Sequence, residues 1–445
     1  MTVLGDITQV DLSGVEPLLS GEKFSETGVR LALELSALSY NLNIRPWIDA
    51  GWSDITIKIR DRLFHSVDTT DSDSILRSLY NSIAPYFGGK IKCKKIRKRK
   101  KIKKQIVNPY KSEHGRAIIL SREIADGKFA IAIAFAGTGR NLTSWLSNFD
   151  FAHDDGIHAG FNKLTDAFLA KVNDIEFPSI AGKLGLQSLA LRDVLLSAKS
   201  DNSPFVIFIS GHSQGAALLQ LFTYNLLKQG VKPKNIFGYG FAAPTTVSES
   251  FEQIDMPINL INFENDVFTR LGIQKHIGNV YLFQSDDTLK AACYGELAEN
   301  AMFQDAISYL RSINNTEESL FSTLAFTYAL SYLPTKMQSE IFEAGSSVFR
   351  ILPDDDTTTS ISLMRAFLRD RYVLLIGHEP DRRSLLIKAK EYLSLIDKFG
   401  AKKLVEANMS AIRASHSLRL DEKGDLISCY AYIALNGFKK LKKIN

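Results

Sequence analysis

A five-residue turn between an apolar run and an amphipathic segment limits most strongly what this chain can fold into. The run Phe205–Ile209 is apolar on both faces, Gly211-His212-Ser213-Gln214-Gly215 follows it, and apolar residues then recur at helical spacing over 216–229. A strand that is apolar on both faces belongs in a sheet covered by helices on both sides. The glycines two residues before and after Ser213 permit a turn that larger side chains would block. The pattern predicts strand, sharp turn and helix, with the Ser213 hydroxyl raised above the sheet.

Other apolar runs extend this pattern along the chain. A strand hairpin is predicted from Ala117–Leu120 and Phe129–Phe135, and further strands are predicted over 235–241, 258–263 and 279–283. An early amphipathic helix is predicted over 25–40 and another over about 72–85. Alternation of strands with helices predicts an α/β fold with a central, mostly parallel sheet.

The length of the chain and a change of pattern suggest its domain organisation. At 445 residues the chain exceeds the usual size of one domain, and from about 285 to 404 it shows long helical segments without clear strands. We predict a first part of the α/β core over 1–283 with an inserted segment near 68–112, a large helical insertion over 284–404, and a C-terminal part of the core over 405–445. The insertion is either a lid or cap over the site or the ordinary core of a helical subdomain.

Composition narrows the class of protein and its location. Hydrophobic residues make up 45% of the chain and charged residues 23%, which is typical of a globular protein. The three cysteines are scattered and form no C-x-x-C pair, so neither a disulfide framework nor a cysteine metal site is predicted. The first residues do not resemble a secretory signal, and no membrane-spanning segment is predicted. We therefore expect a cytoplasmic protein, or one secreted without a cleavable signal as a bacterial effector.

One segment carries the basic character of the chain. Eleven basic residues lie between Lys90 and Lys104, so the formal charge of +5 becomes 5 − 11 = −6 without them. Such a run is either a solvated loop, a surface for anionic lipid, or a nuclear-import or nucleic-acid patch. Of these partners, we favour an anionic membrane surface, bound peripherally through Lys90–Lys104, over nucleic acid. The sequence does not indicate an oligomeric state.

The chemistry of a serine nucleophile requires further residues. A serine hydroxyl attacks only when a histidine takes its proton, and that imidazole needs a carboxylate to fix its tautomer. Asp266 is the best candidate carboxylate, because it follows the apolar run 258–263 and so lies at the end of a strand; an ordinary turn residue is the alternative. The candidate bases after the serine are His276, His378 and His416. Neither a metal nor a cofactor is required for this reaction.

Motifs spread over much of the chain resemble the class-three lipase family, in which we expect a bacterial member. The matching segments are Phe135-Ala136-Gly137-Thr138, Trp145–Phe149, Ile157–Phe161, the pentapeptide around Ser213, Phe241–Pro244 and Asn265-Asp266-Val267. The resemblance implies an α/β-hydrolase fold. The sequence departs from the family at Ala136, where the family has arginine, at Gln214, where leucine is usual, and at Ala216, where glycine is usual.

The resemblance also implies roles for individual residues. The backbone and hydroxyl of Thr138 and the backbone N–H of Gln214 would form an oxyanion hole. His416, in His416-Ser417-Leu418, resembles the catalytic histidine of the family, whereas His276 resembles a structural one. His276 and His378 remain alternative bases, since 150 residues separate Asp266 from His416, more than the family usually needs.

The predicted function is a serine carboxylic ester hydrolase acting on lipid esters, either a triacylglycerol lipase or a phospholipase A. Ser213, Asp266 and His416 would form its catalytic triad. A soluble esterase or thioesterase of the same fold is the first alternative. A second alternative is a non-catalytic module that binds a membrane or nucleic acid.

Overall fold

The computed structural model describes residues 24–40, 44–54, 117–138, 148, 153–252, 254–270, 275–312, 383, 386–387, 390, 394, 401–418, 428–436 and 441–444. Within these ranges the helices are α1 (Glu26–Leu38), α2 (Arg45–Asp49), α3 (Ala159–Leu169), α4 (Pro178–Lys183), α5 (Leu191–Ser197), α6 (Gln214–Lys228), α7 (Asp287–Tyr294), α8 (Ala301–Ser312), α9 (Ala401–His416) and α10 (Cys429–Asn436). The strands are β1 (Ser53–Asp54), β2 (Ala117–Ala125), β3 (Lys128–Phe135), β4 (His153–Asp154), β5 (Ile157–His158), β6 (Phe205–His212), β7 (Ile236–Phe241), β8 (Ile258–Phe263), β9 (Asn279–Phe283) and β10 (Leu441–Lys443).

Eight of these strands form one sheet in the order β1-β2-β3-β6-β7-β8-β9-β10. The strands from β3 to β9 in this order run parallel to one another, whereas β1, β2 and β10 are antiparallel to their neighbours. The predicted hairpin is the β2–β3 pair. The prediction of a central, mostly parallel sheet is therefore confirmed.

Strand β3 shows how the sheet is covered on both faces. Its residues alternate between Ala130, Ala132 and Ala134, which pack in one core with α1 and α10, and Ile131, Ile133 and Phe135, which pack in a second core with α3 and α6. Side chains of a strand point to opposite faces in turn, so a run that is apolar throughout fills both cores. The short alanine side chains leave room for α1, whose buried residues cover most of its surface.

The parallel strands place their carboxyl ends at one edge of the sheet. Ser213 follows β6 directly, and Asp266 lies three residues beyond β8, followed by a 3₁₀ turn over Val267–Arg270. Strand β7 lies between these two strands in the sheet. The topology thus brings a hydroxyl and a carboxylate, 53 positions apart in the sequence, to neighbouring points on one edge.

The helices near the C-terminus return to this edge. Helix α8 packs against α9, and α10 packs against α1 and α7. Phe303 and Ile307 of α8 are buried in the core that α1 and α10 share, and the Phe303 ring meets that of Tyr294 edge to face at 5.1 Å between centroids. This first part of the predicted helical insertion is therefore core. The domain boundaries remain predictions.

Several predicted features lie outside the described residues. They are the helix over 72–85, the basic run Lys90–Lys104, most of the helical insertion over 284–404 and His378. Among the described residues, no helix has the length and apolar character needed to cross a bilayer.

Candidate active site

Ser213 occupies the turn between β6 and α6. Its backbone φ is 57° and its ψ is −127°, in a region that side chains rarely adopt. The backbone N–H of Ser213 donates to the Phe241 carbonyl at 2.9 Å, which holds the turn against the end of β7. A strained residue of this kind persists only where its surroundings fix it. The geometry projects the hydroxyl from the edge of the sheet, as the sequence predicts.

The turn closes because Gly215 has no side chain. A Cβ at this position would overlap the carbonyl group of Phe135 at the end of β3. Backbone atoms that are fixed in a sheet cannot give way as a flexible side chain can. The first turn of α6 therefore packs directly on β3, which brings the segment at Thr138 beside Ser213.

His416 is the imidazole that reaches Ser213. It ends α9, and its Nε2 lies 2.8 Å from Ser213 Oγ, while its Nδ1 lies 2.9 Å from both carboxylate oxygens of Asp266. The Phe268 ring covers the imidazole at 4.3 Å between centroids. Because the carboxylate accepts the Nδ1 proton, the neutral ring presents an unprotonated Nε2 to the serine hydroxyl.

Asp266 is buried, with a side chain that has 0% of its surface exposed. Besides His416, its carboxylate accepts hydrogen bonds from the backbone N–H of Phe268 at 3.0 Å and from the Tyr430 hydroxyl at 2.6 Å. A buried carboxylate is costly unless donors surround it. Three separate parts of the chain supply these donors, so Asp266 stays fixed beneath the imidazole.

Tyr430 is a residue of this site to which the sequence analysis assigns no role. Burial, and then the negative charge of Asp266, raise the pKa of the Tyr430 hydroxyl well above its ordinary value. The hydroxyl therefore remains protonated and donates to the carboxylate. Its distance of 164 positions from Asp266 explains why no local pattern reveals the contact.

A second group of polar side chains begins at Gln214, the residue after Ser213. The Gln214 side-chain N–H donates to Asn148 Oδ1 at 2.8 Å, and Asn148 Nδ2 donates to Thr138 Oγ1 at 2.8 Å. Since Thr138 Oγ1 accepts this bond, its own proton is available to a further acceptor. The structure thus links both predicted oxyanion residues, Thr138 and Gln214, through the side chain of Asn148.

The backbone of Gln214 also suits a developing negative charge. Gln214 is the first residue of α6, and the first N–H groups of a helix have no acceptor within that helix. The positive end of the helix dipole lies at the same place. Donors of this kind stabilise an oxyanion when they are fixed before the reaction.

His276, one of the two other candidate bases, contacts a backbone carbonyl and Asn262 instead of Ser213. His276 Nε2 lies 2.8 Å from the Ala243 carbonyl oxygen and 3.3 Å from the Asn262 amide. Burial above all lowers the pKa of His276 to about 4. A neutral imidazole bonded to backbone has a structural role, as the resemblance implies for this position. His378 lies outside the described residues.

The described residues contain no group of three or more His, Cys, Asp or Glu side chains placed to hold a metal ion. The arrangement around Ser213 supplies a nucleophile, a base, an oriented carboxylate and donors for an oxyanion. These are the components of nucleophilic acyl transfer.

Comparison with known proteins gives a family for part of the chain. Residues 132–271 match the family described as "Lipase (class 3)". Comparison with curated proteins gives no match.

Among solved structures, the chain is similar to three fungal lipases. A Rhizomucor miehei lipase propeptide complex shares 15% identity with a TM-score of 0.27, and the match covers 39% of this chain and 54% of that one. The lipase from Rhizopus microsporus var. chinensis shares 17% identity with a TM-score of 0.26, covering 39% and 58%. Lipase II from Rhizopus niveus shares 16% identity with a TM-score of 0.26, covering 39% and 62%. The chain thus spans less than two thirds of the length of each.

The matched segment contains the oxyanion residues, the turn around Ser213 and Asp266, whereas His416 and Tyr430 lie beyond it. The sheet order and the strand, turn and helix at Ser213 are those of an α/β-hydrolase fold. Residues 132–271 of this chain match the class 3 lipase family, and the match does not extend to the rest of the chain.

Proposed function

We propose that this protein is a serine carboxylic ester hydrolase that acts on lipid esters. The observation that carries the proposal is the unbroken chain of hydrogen bonds from Ser213 Oγ through the His416 imidazole to the Asp266 carboxylate, at 2.8 and 2.9 Å. Hydrogen-bond reach between nucleophile, base and carboxylate is the geometric requirement for this reaction. Because Ser213 and Asp266 lie in the part that matches a lipase family, an acyl ester is the favoured substrate class.

The reaction begins with the serine hydroxyl. Ser213 Oγ attacks the acyl carbonyl carbon while His416 Nε2 takes its proton, and the negative charge develops on the carbonyl oxygen. The backbone N–H of Gln214 and the hydroxyl of Thr138 donate to that oxygen. Asp266 stabilises the imidazolium, and the position of His416 at the negative end of the α9 dipole acts in the same direction.

The remaining steps return the enzyme to its starting state. The imidazolium gives its proton to the departing alcohol, which leaves the acyl group on Ser213. A water molecule then attacks this acyl-enzyme and passes its proton to His416, and the fatty acid leaves as the serine recovers its hydrogen. The same two proton transfers thus serve both halves of the reaction.

Labelling with a fluorophosphonate probe tests the nucleophile. The wild-type protein should react covalently at Ser213, and Ser213→Ala should remain unlabelled and lose ester hydrolysis by a factor on the order of 10⁴ or more. Ser210→Ala, a change at another buried serine of β6, is the matched control and should still be labelled. A wild-type protein that hydrolyses no ester and takes no label would contradict the proposal.

The substrate class needs a separate comparison. We propose long-chain esters in aggregates, either triacylglycerol or phospholipid, as the substrates. Rates should therefore be measured on emulsified triacylglycerol, phosphatidylcholine vesicles and a short-chain soluble ester. A preference for the soluble ester at equal concentration would indicate instead the esterase or thioesterase alternative.

We also propose that the basic run Lys90–Lys104 attaches the enzyme to anionic membranes. Each basic residue near such a surface contributes about 1 kcal/mol, so 11 of them provide ample attraction. Replacing these residues by glutamine should abolish sedimentation with anionic vesicles and leave hydrolysis of a soluble ester unchanged. Unaltered sedimentation would refute this role.

A further inference from the structure

The proposed reaction uses Ser213 and His416 but leaves unexplained a second imidazole beside them. His212 precedes the nucleophile, has 5% of its surface exposed, and lies 4.8 Å from the His416 ring between centroids. Its Nε2 lies 2.6 Å from the backbone carbonyl oxygen of His416, and its Nδ1 lies 2.8 Å from the Tyr40 hydroxyl. Three distant parts of the chain therefore meet at one imidazole.

The partners of His212 determine where its proton lies. A backbone carbonyl only accepts hydrogen bonds, so His212 Nε2 must carry a hydrogen and donate it to the His416 oxygen. In the neutral ring Nδ1 is then an acceptor, and the Tyr40 hydroxyl donates to it. The direction of every hydrogen bond from Tyr40 to the His416 backbone is thus fixed.

The surroundings of His212 keep its imidazole neutral. Burial first, and then the positive charge that His416 can carry, lower the pKa of His212 well below its ordinary value. The groups facing His212 are the Tyr40 hydroxyl, the His416 ring and backbone, and the Tyr430 ring at 6.2 Å between centroids. A proton that leaves Ser213 therefore passes to His416, and His212 keeps its orientation.

We infer that His212 and Tyr40 are positioning residues that hold the proposed base by its backbone. This inference rests on the proposed function. Asp266 orients the His416 ring, but the last residue of a helix also needs its carbonyl satisfied. The bond from His212 ties this carbonyl to the residue next to the nucleophile, which fixes the distance between base and nucleophile.

Tyr40 also contacts the segment that leads to the predicted oxyanion residue Thr138. A Cβ at Gly137 would overlap the Tyr40 hydroxyl, so this hydroxyl lies directly against the segment that leads to Thr138. The Tyr40 side chain also remains accessible, since the residue has 37% of its surface exposed. Loss of the hydroxyl alone should therefore leave the core intact while it releases His212.

Kinetics separate a positioning role from a purely structural one. His212→Leu should lower kcat about 10- to 100-fold with KM changed less than about two-fold, because a small displacement of the base slows the chemical step. Tyr40→Phe should lower kcat about 3- to 10-fold. Tyr224→Phe is the matched control, since that ring packs against Phe251 away from this group, and it should leave kcat unchanged.

The conservative substitution His212→Gln provides a rescue. Its amide N–H can donate to the His416 carbonyl and its amide oxygen can accept from Tyr40, so its kcat should stay within about five-fold of the wild-type value. Thermal unfolding of each variant reports whether the fold is retained. Equal kcat for the folded Leu variant and the wild-type protein, or a Gln variant no better than Leu, would overturn the inference.

Nitrogen NMR of histidine-labelled protein tests the same geometry without turnover. The His212 signals, identified by their loss in His212→Gln, should show a neutral ring protonated at Nε2 at neutral pH, and Tyr40→Phe should shift the Nδ1 signal. A ring protonated at Nδ1 would overturn the inference even in an active enzyme. A wild-type protein without esterase activity would instead overturn the proposed function, and with it any catalytic role for this group.

Discussion

The region around Ser213 and the C-terminal helices contribute to one site in opposite ways. Strand β6 and helix α6 place the nucleophile through consecutive residues, within a sheet that is buried on both faces. Helix α9 places His416 through contacts with residues 150 to 204 positions away. The nucleophile is thus a product of local geometry, whereas the candidate base is a product of tertiary packing.

Polar contacts near the end of α9 add to the apolar packing of Ala411 and Ala414. The Ser415 hydroxyl lies 3.2 Å from the Tyr294 hydroxyl, and Cys429 donates to the Ala414 carbonyl at 3.3 Å. Each such hydrogen bond contributes about 1 kcal/mol. Small changes among the C-terminal helices should therefore affect chemistry before they affect the fold, whereas changes near the sheet should affect both.

Removing the carboxylate that joins the two regions should have the largest effect. Asp266→Asn is expected to lower kcat by about 10⁴, because the amide favours the wrong tautomer of His416. Steady-state hydrolysis of a soluble ester measures this loss. Asp287→Asn, at a fully exposed carboxylate, is the control and should retain normal kcat. A similar decrease in both variants would argue against the special role of Asp266.

Acid should lower the free energy of unfolding through His276, which bonds to the segment that follows β7 and to Asn262 of β8. Its pKa is lowered from 6.5 to about 4 in the native state, so below pH 6.5 the unfolded chain binds a proton that the folded protein does not. The free energy of unfolding should be highest above pH 6.5, fall by up to about 3 kcal/mol between pH 6.5 and 4, and change little from this source below pH 4.

Urea unfolding at several pH values measures this dependence. His276→Gln should flatten the slope, and the remaining dependence should include His212, whose pKa is lowered in the same direction. An unchanged slope in His276→Gln would show that other groups cause the loss.

Loss of the Asn148 side chain should lower kcat through the predicted oxyanion residues. Asn148→Ala removes the donor that fixes the Thr138 hydroxyl, and kcat should fall about 10- to 100-fold, since a whole oxyanion donor contributes 10²- to 10³-fold. Asn225→Ala, on the outer side of α6, is the control because its amide only donates to the Leu221 carbonyl. A loss that appears in KM alone would indicate a role in binding.

Among the changes that compare the two regions, the smallest effect is expected at the C-terminal helices. Tyr430→Phe removes one of the donors to Asp266, and kcat should fall about 10-fold, equivalent to about 1.4 kcal/mol. The melting temperature should change little because the ring still fills the same space. A loss as large as that of Asp266→Asn would show that the C-terminal helices control the site as strongly as the sheet does.

The sequence is sufficient to predict the sheet, the turn after β6 and the position of Ser213 in that turn. Alternating and two-sided apolar runs indicate which faces of a strand are buried. The glycines around Ser213 indicate that backbone segments approach closely there. The strand β6 continues to His212, three residues beyond the predicted apolar run, because pairing with β3 and β7 outweighs the polar character of those residues.

The supporting contacts could not be predicted in this way. Asn148 lies in a segment that resembles the family and Tyr40 ends a predicted helix, yet their hydrogen bonds depend on where distant segments meet. The contact of Tyr430 with Asp266 crosses 164 positions. His416 was identified by its resemblance to a family motif, since spacing alone leaves three histidines open.

The separation between Ser213 and His416 has a consequence for biosynthesis. A ribosome completes the strand and helix that hold the serine about 200 residues before the imidazole emerges. Closing so long a loop is slow relative to forming neighbouring contacts. In a nascent chain the Ser213 hydroxyl therefore has no imidazole beside it until His416 has been made and has packed against Asp266.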